Sequence, residues 1–144
     1  MATQNYSNHV RLVPGFHYVL GGILFLTLIG SMVNLWKSWG DHERLYSAAL
    51  IVVLTVCGGF LFYYARTFPL KAQDRAIRAE ENLRHFVLAG KLLDPRLDMR
   101  QVIALRFAPD DEFVALAQKA AAESMPADAI KRAIKNWKAD NYRV

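Results

Sequence analysis

The sequence predicts an all-α protein: an integral membrane two-helix antiparallel hairpin, followed by a stalk helix and a small helical cytoplasmic region. Three observations predict it. Residues 14–36 and 45–68 are apolar runs close to the roughly 20 residues a helix needs to cross about 30 Å of hydrocarbon. A short polar connector, residues 37–44, joins them. The remaining sequence carries helical apolar spacing and no strand pattern or repeat.

Charge divides the chain at the same place. Among 144 residues, 18 Lys and Arg against 13 Asp and Glu give a net charge of +5. From Arg66 onward there are 15 basic and 11 acidic residues, so the excess positive charge belongs to the second half. Anionic lipid headgroups or nucleic acid are the natural neighbours of such a surface. Cys57 is the only cysteine, which excludes an intramolecular disulfide. At mid-span it reads as a small hydrophobe.

The expected layout is an N-terminal cytoplasmic segment 1–13, a hairpin 14–68 and a cytoplasmic helical region 69–144. Pro14 and Gly15 open the first span, where the missing proline N–H is no loss. A secretory signal is the alternative reading of this run. Sparse charge before it, with only Arg11, and no small-residue cleavage site favour a retained helix. Aromatic rings sit at three of the four span ends: Phe16 and Tyr18, Trp36 and Trp39, Tyr63 and Tyr64. Rings with one polar edge prefer the membrane interface. Lys37 and Arg44 flank the connector, whereas Arg66, Lys71, Arg75, Arg78 and Arg84 follow the second span. The positive-inside tendency therefore places both termini in the cytoplasm.

In an up-down pair, residues whose numbers sum to about 82 lie at similar depth. Gly21 and Gly22 then face the level of Gly58 and Gly59, and Thr27 that of Thr55. Small residues let helix backbones approach closely in lipid, so a tight crossing near Gly22 and Gly59 is expected. Thr27, Ser31 and Asn34 share one face of the first helix. They turn either to the second helix or another protein, or, for the hydroxyls, back onto their own i−4 carbonyls. Neither span holds an interior Lys, Arg, Asp or Glu, which argues against an ion or proton path.

After the spans, residues 71–89 read as a stalk helix with i,i+4 pairs Asp74–Arg78 and Glu80–Arg84. Pro69 is expected to kink or restart it, and Gly90 to end it. Asp98 and Gln101 form a capping-box pair opening a short helix to about Phe107. Pro109 and three acids open the next, 111–123, with Phe113, Leu116, Ala117 and Ala120 on one side. A last helix is expected from about 127 to Trp137 or Lys138, with Ile130, Ala133, Ile134 and Trp137 as its apolar stripe.

Function is less legible. His9, His17, His42 and His85 are scattered, and no metal-ligand spacing, phosphate loop or nucleophile context occurs. His17 alone lies in a span. A haem-type cofactor would need a ligand on a facing helix or another subunit, so the residues point to no cofactor. The basic end of the chain, with Lys131, Arg132, Lys135, Trp137, Lys138, Tyr142 and Arg143, is the most functional-looking soluble feature. It reads as a solvated face of a packed helix, as an amphipathic contact with the lipid bilayer, or as a nucleic-acid contact, the least favoured of the three.

Five stretches carry a resemblance: 2–9, the hairpin, Lys71-Ala-Gln-Asp-Arg75, Gln101-Val-Ile-Ala-Leu-Arg-Phe107 and Ala129-Ile-Lys-Arg-Ala-Ile-Lys-Asn-Trp137. Together they resemble an uncharacterised family of short bacterial membrane proteins with two predicted spans. That likeness covers essentially the whole chain. It implies a bacterial source and the two-span topology, and transfers no catalytic residue. The expected role is a non-enzymatic accessory, assembly or scaffolding subunit that meets other membrane subunits or its own copies. A membrane-surface binding protein and a cofactor-bearing subunit using His17 are the alternatives.

Overall fold

The computed structural model describes residues 4–9 and 11–140, and every regular element among them is helical. A π-helical turn, Gly15–Leu20, leads into α1, Gly21–Lys37; α2 is His42–Ala89, α3 Met99–Leu105, α4 Asp110–Ala122 and α5 Ala127–Ala133. Residues group into two compact units, Leu12–Phe68 and a second made of Met1–Arg11 with Pro69–Val144.

In the first unit the chain reverses over four residues between α1 and α2. Gly40 sits there at φ +99°, a left-handed conformation open to glycine without steric cost. Entry to α1 is wider than an α-helix: the Gly21 N–H reaches the Phe16 carbonyl, five residues back. Ser31, Ser38 and Ala48 are the buried residues of this unit, while Tyr18, Phe25, Leu26, Leu54 and Leu61 are exposed. In water this arrangement would leave most of the unit's large apolar side chains wet, contrary to the usual drive for burial.

α2 runs through Pro69 without ending, so the proline neither stops nor restarts it. Its missing N–H leaves the Ala65 carbonyl without its intrahelical donor. The helix stops at Gly90, whose φ of +69° is the left-handed stop that glycine allows and whose N–H bonds the Phe86 carbonyl at 2.8 Å.

The second unit has its own core, built from Ile77 of α2, Leu93, Leu97, Val102, Leu105, Phe113, Leu116 and Ile130. The capping box forms as expected: Gln101 N–H donates to Asp98 Oδ1 and Asp98 N–H to Gln101 Oε1, both at 2.7 Å. Buried Gln101 does more, donating from Nε2 to the Met125 carbonyl at 2.9 Å and so tying α3 to the α4–α5 turn. That turn carries Ser124 at φ +48°, with Met125 N–H closing back on the Ala120 carbonyl. Phe113, Leu116, Ala117 and Ala120 are all buried, the face expected of α4.

Two expectations are corrected here. Neither i,i+4 stalk pair forms: Arg84 takes Glu81 and Asp110 instead, and Arg78 donates to the Leu97 carbonyl at 3.2 Å. Acceptors inside the folded unit outcompete a solvated helix neighbour worth only a few tenths of a kcal/mol. The last helix ends at Ala133, because Ile134 is already extended. Glu112 explains the stop. Its carboxylate accepts from the N–H groups of Lys135 and Asn136, both at 2.9 Å, which a continuing helix would send to carbonyls four residues back.

Candidate packing and docking surfaces

Glycines set the spacing of the α1–α2 contact, but in a different phase from the expected one. A Cβ on Gly58 would lie 3.2 Å from Leu24 Cδ2, and one on Gly21 3.4 Å from Phe62 Cζ. Gly22 and Gly59 would meet nothing within 4 Å. The close approach is thus at Gly21 and Gly58, one residue earlier in each pair, with Phe16 stacked on Phe62 at 4.4 Å beside it. Gly59 instead opens on an apolar groove of about 500 Å³ that Leu24, Leu28, Thr55 and Tyr63 also line. Gly58→Ile is expected to cost about 1–3 kcal/mol through overpacking, whereas Gly59→Ala should stabilise by about 0.5–1 kcal/mol through helix propensity. Thermal unfolding followed by circular dichroism in detergent separates the two.

The polar stripe splits. Ser31 is buried, and its hydroxyl donates to the Leu28 carbonyl at 2.8 Å; Thr55 donates to the Ile51 carbonyl at 2.8 Å. Thr27 and Asn34 are exposed. The hydroxyls that do bond are therefore satisfied within their own helices. His17 Nδ1 lies 3.0 Å from the Val13 carbonyl oxygen, and its ring meets Phe16 edge-on.

In the second unit the basic end of the chain is an anchored tail. Trp137 stacks on Phe107 at 4.6 Å, Lys138 N–H donates to the Phe107 carbonyl at 2.8 Å, and Arg106 pairs with Asp140 at 3.1 Å. Ile130, on α5, is fully buried in the core. Lys131 and Arg132 meet the N-terminal segment: Lys131 Nζ is 3.0 Å from His9 Nε2, and Arg132 Nε donates to the Tyr6 hydroxyl at 3.2 Å. The Tyr6 hydroxyl donates to Asp128, which also pairs with Arg132 at 2.9 Å. His9 Nδ1 also lies within hydrogen-bonding distance of the Tyr6 carbonyl, so the ring bridges Tyr6 and Lys131. Gln4 and Asp140 complete the clip, the Asp140 N–H donating to Gln4 Oε1 at 2.6 Å. Lys135 and Lys138 are exposed. Tyr142 and Arg143 lie outside the described residues.

Nothing in local spacing signals this clip, since its partners are more than 120 residues apart. The only hint is a polar and aromatic first segment facing a basic and aromatic last one.

Backbone N–H donors, Lys135's foremost, hold the Glu112 carboxyl below its ordinary value of 4.5. A depressed value means that the anchored tail keeps this contribution at neutral pH and loses it as pH falls below about 4.5 toward the lowered value. In a background with Trp36 and Trp39 replaced by Phe, the Trp137 emission should shift red across that acid range. Glu112→Gln should abolish the acid step and leave a looser tail at neutral pH.

A charge cluster forms the other polar feature. Arg84 bonds Glu81 at 3.0 Å, Asp110 at 2.6 Å and the Ala108 carbonyl at 2.8 Å, and lies 4.2 Å over the Phe113 ring. Buried His85 places Nδ1 2.7 Å from the Lys91 carbonyl. It lines a cleft of about 340 Å³ with Lys91, Asp94, Arg96 and Gln118. There the Arg96 guanidinium, bonded to Asp94, lowers that carboxyl to about 2. Among the described residues, no three His, Cys, Asp or Glu side chains come together as a metal site.

Two helices long and apolar enough to cross a membrane, and a helical unit with its own core, define the class: an all-α protein with paired apolar helices. The chain belongs to DUF6526, a family of unknown function, whose model matches residues 1–144. No curated protein and no solved structure matches it.

Proposed function

We propose that this chain is a small non-enzymatic protein of the bacterial inner membrane, an accessory, assembly or scaffolding subunit. The two apolar helices cross the bilayer as an antiparallel hairpin, and the helical unit lies on the cytoplasmic side as a docking module. The observation that carries the anchor is the bareness of α1 and the first half of α2. Leu26, Leu54 and Leu61 are each about two-thirds exposed, which suits lipid and not water. A core helix of equal length would bury one face.

The N-terminal clip supports the shared side of the two termini by a route independent of flanking charge. Tyr6 and His9 touch Asp128 and Lys131. These contacts support a reading in which the segment before the first span and the helices after the second share one compartment. The non-enzymatic role rests on the Glu81–Arg84–Asp110 cluster and on Gln101, which are spent on holding elements together.

Labelling of single cysteines in a Cys57→Ser background tests the topology. With a membrane-impermeant maleimide on intact spheroplasts, Trp39→Cys should react, and Ser7→Cys and Glu123→Cys only after permeabilisation. Reaction of Ser7→Cys and Glu123→Cys on opposite sides would overturn it. The subunit role is tested by mass after mild detergent extraction, where a lone monomer would sink it.

A further inference from the structure

The second half of α2 has two unlike faces. Ile77, Glu81 and His85 are buried against the helical unit. On another face, Ala72, Ala76, Ala79, Leu83 and Phe86 repeat with alternating steps of four and three residues, the spacing of a coiled-coil seam. All five are exposed, Leu83 at 64% and Phe86 at 52%, and Val87 beside them is 74% exposed. The seam is about 21 Å long at 1.5 Å per residue. Its alanines allow close approach, and its Leu-Phe-Val end is the apolar part that water disfavours.

We infer that this face docks the same face of a second copy of the chain, in parallel. Charge at its edges selects that occupant. With Ala76 and Leu83 at the a positions and Ala72, Ala79 and Phe86 at the d positions, Arg75 falls at g and Glu80 at the following e. In a parallel pair those two positions are the ones that meet across the seam. Arg75 of each copy thus faces Glu80 of the other, and two-fold symmetry makes the contact twice. An antiparallel pair brings g to g and e to e, and sets Arg75 and Glu80 against no opposite charge. Both side chains are exposed, and neither takes part in an ion pair among the described residues; Arg84, the partner expected for Glu80, is committed to Glu81 and Asp110. The inference rests on the membrane reading in one respect. Copies anchored by the same hairpin leave the bilayer in the same direction, which enforces the parallel order and concentrates the chains in two dimensions.

Disulfide crosslinking of the full chain in native membranes tests it, in the Cys57→Ser background. Cysteines at Ala79, Leu83 and Phe86 should form covalent dimers under mild oxidation, several-fold more than cysteines at Lys71 and Glu123. In mild detergent, Arg75→Glu or Glu80→Arg should each shift the particle mass toward monomer, and the two together should restore the dimer. These residues are on the surface, so the helical fold survives the changes and circular dichroism verifies it. A correctly inserted protein that stays monomeric, or whose extra mass is a different chain, overturns the dimer and leaves the hairpin reading intact. Crosslinking between Ala72→Cys and Phe86→Cys on different copies, without the like pair at Phe86, overturns the parallel register. Failure of the topology labelling would instead strike the membrane reading itself.

Discussion

Arg84→Met is expected to destabilise the helical unit by about 3–5 kcal/mol, because it strands a carboxylate that has little water to fall back on. Glu81 and Arg84 side chains are only 10% and 13% exposed. Together Arg84's fork satisfies Glu81, Asp110 and the Ala108 carbonyl, joining α2 to α4 and to the loop before it. Arg84→Lys keeps the charge but not the planar fork, and should recover only part of the loss. The diagnostic variant is the double change Arg84→Met with Glu81→Leu. If the cost lies in an uncompensated buried charge, removing both charges restores most of the stability, since an apolar replacement of a buried pair is often neutral. If the double variant is as unstable as the single one, the guanidinium acts mainly through packing on Phe113. Urea unfolding in detergent, read by near-ultraviolet circular dichroism, provides the comparison. Domains of this size have about 5–15 kcal/mol in all, so the single change takes a large share of it.

Phe107→Ala is the second large expected effect, again about 3–5 kcal/mol from lost burial and an unfilled cavity. Phe107 is 1% exposed and holds the terminal clip from beneath. Trp137 stacks on it, His9 meets it edge-on, and the Arg106 guanidinium lies 4.7 Å from its ring. The change should therefore release Trp137 before the unit unfolds. In the background lacking Trp36 and Trp39, its emission should be red-shifted under native conditions. Phe113→Ala, at an equally buried core position away from the tail, should lower stability by a similar amount without that shift. Equal behaviour of the two variants would mean that the tail is not a separate layer resting on Phe107.

Much of the local structure was legible from residue spacing. The capping box at Asp98 and Gln101, the buried face of α4 and the stop at Gly90 depend on neighbours within one or two turns. The two apolar helices were legible for the same reason: length and composition are local properties. Phase within the helix pair was not. A shift of one residue turns a helix by about 100°, so equal glycine pairs in the sequence could not say that Gly21 and Gly58, not Gly22 and Gly59, face the neighbouring helix. Ion-pair choice was also hidden, because Arg84 had an adequate partner in Glu80 four residues before it and a better pair in Glu81 and Asp110.

The end of the chain shows most clearly where local pattern loses to tertiary structure. Ile130, Ala133, Ile134 and Trp137 have ideal helical spacing, yet α5 stops at Ala133. Glu112, more than 20 residues earlier, takes the N–H groups of Lys135 and Asn136, and Phe107 takes the ring of Trp137. Sequence by itself determined that this protein is all-helical, that it carries two apolar stretches of spanning length without interior charge, and that most of its positive charge lies after them. Only the tertiary structure decided which glycines touch, which carboxylates Arg84 holds, and that residues 4–9 clasp residues 128–140. The physical reason is the same in each case. Periodicity and capping are settled within a few residues, whereas a buried charge, an aromatic stack or a chain terminus takes whichever partner the folded chain brings near.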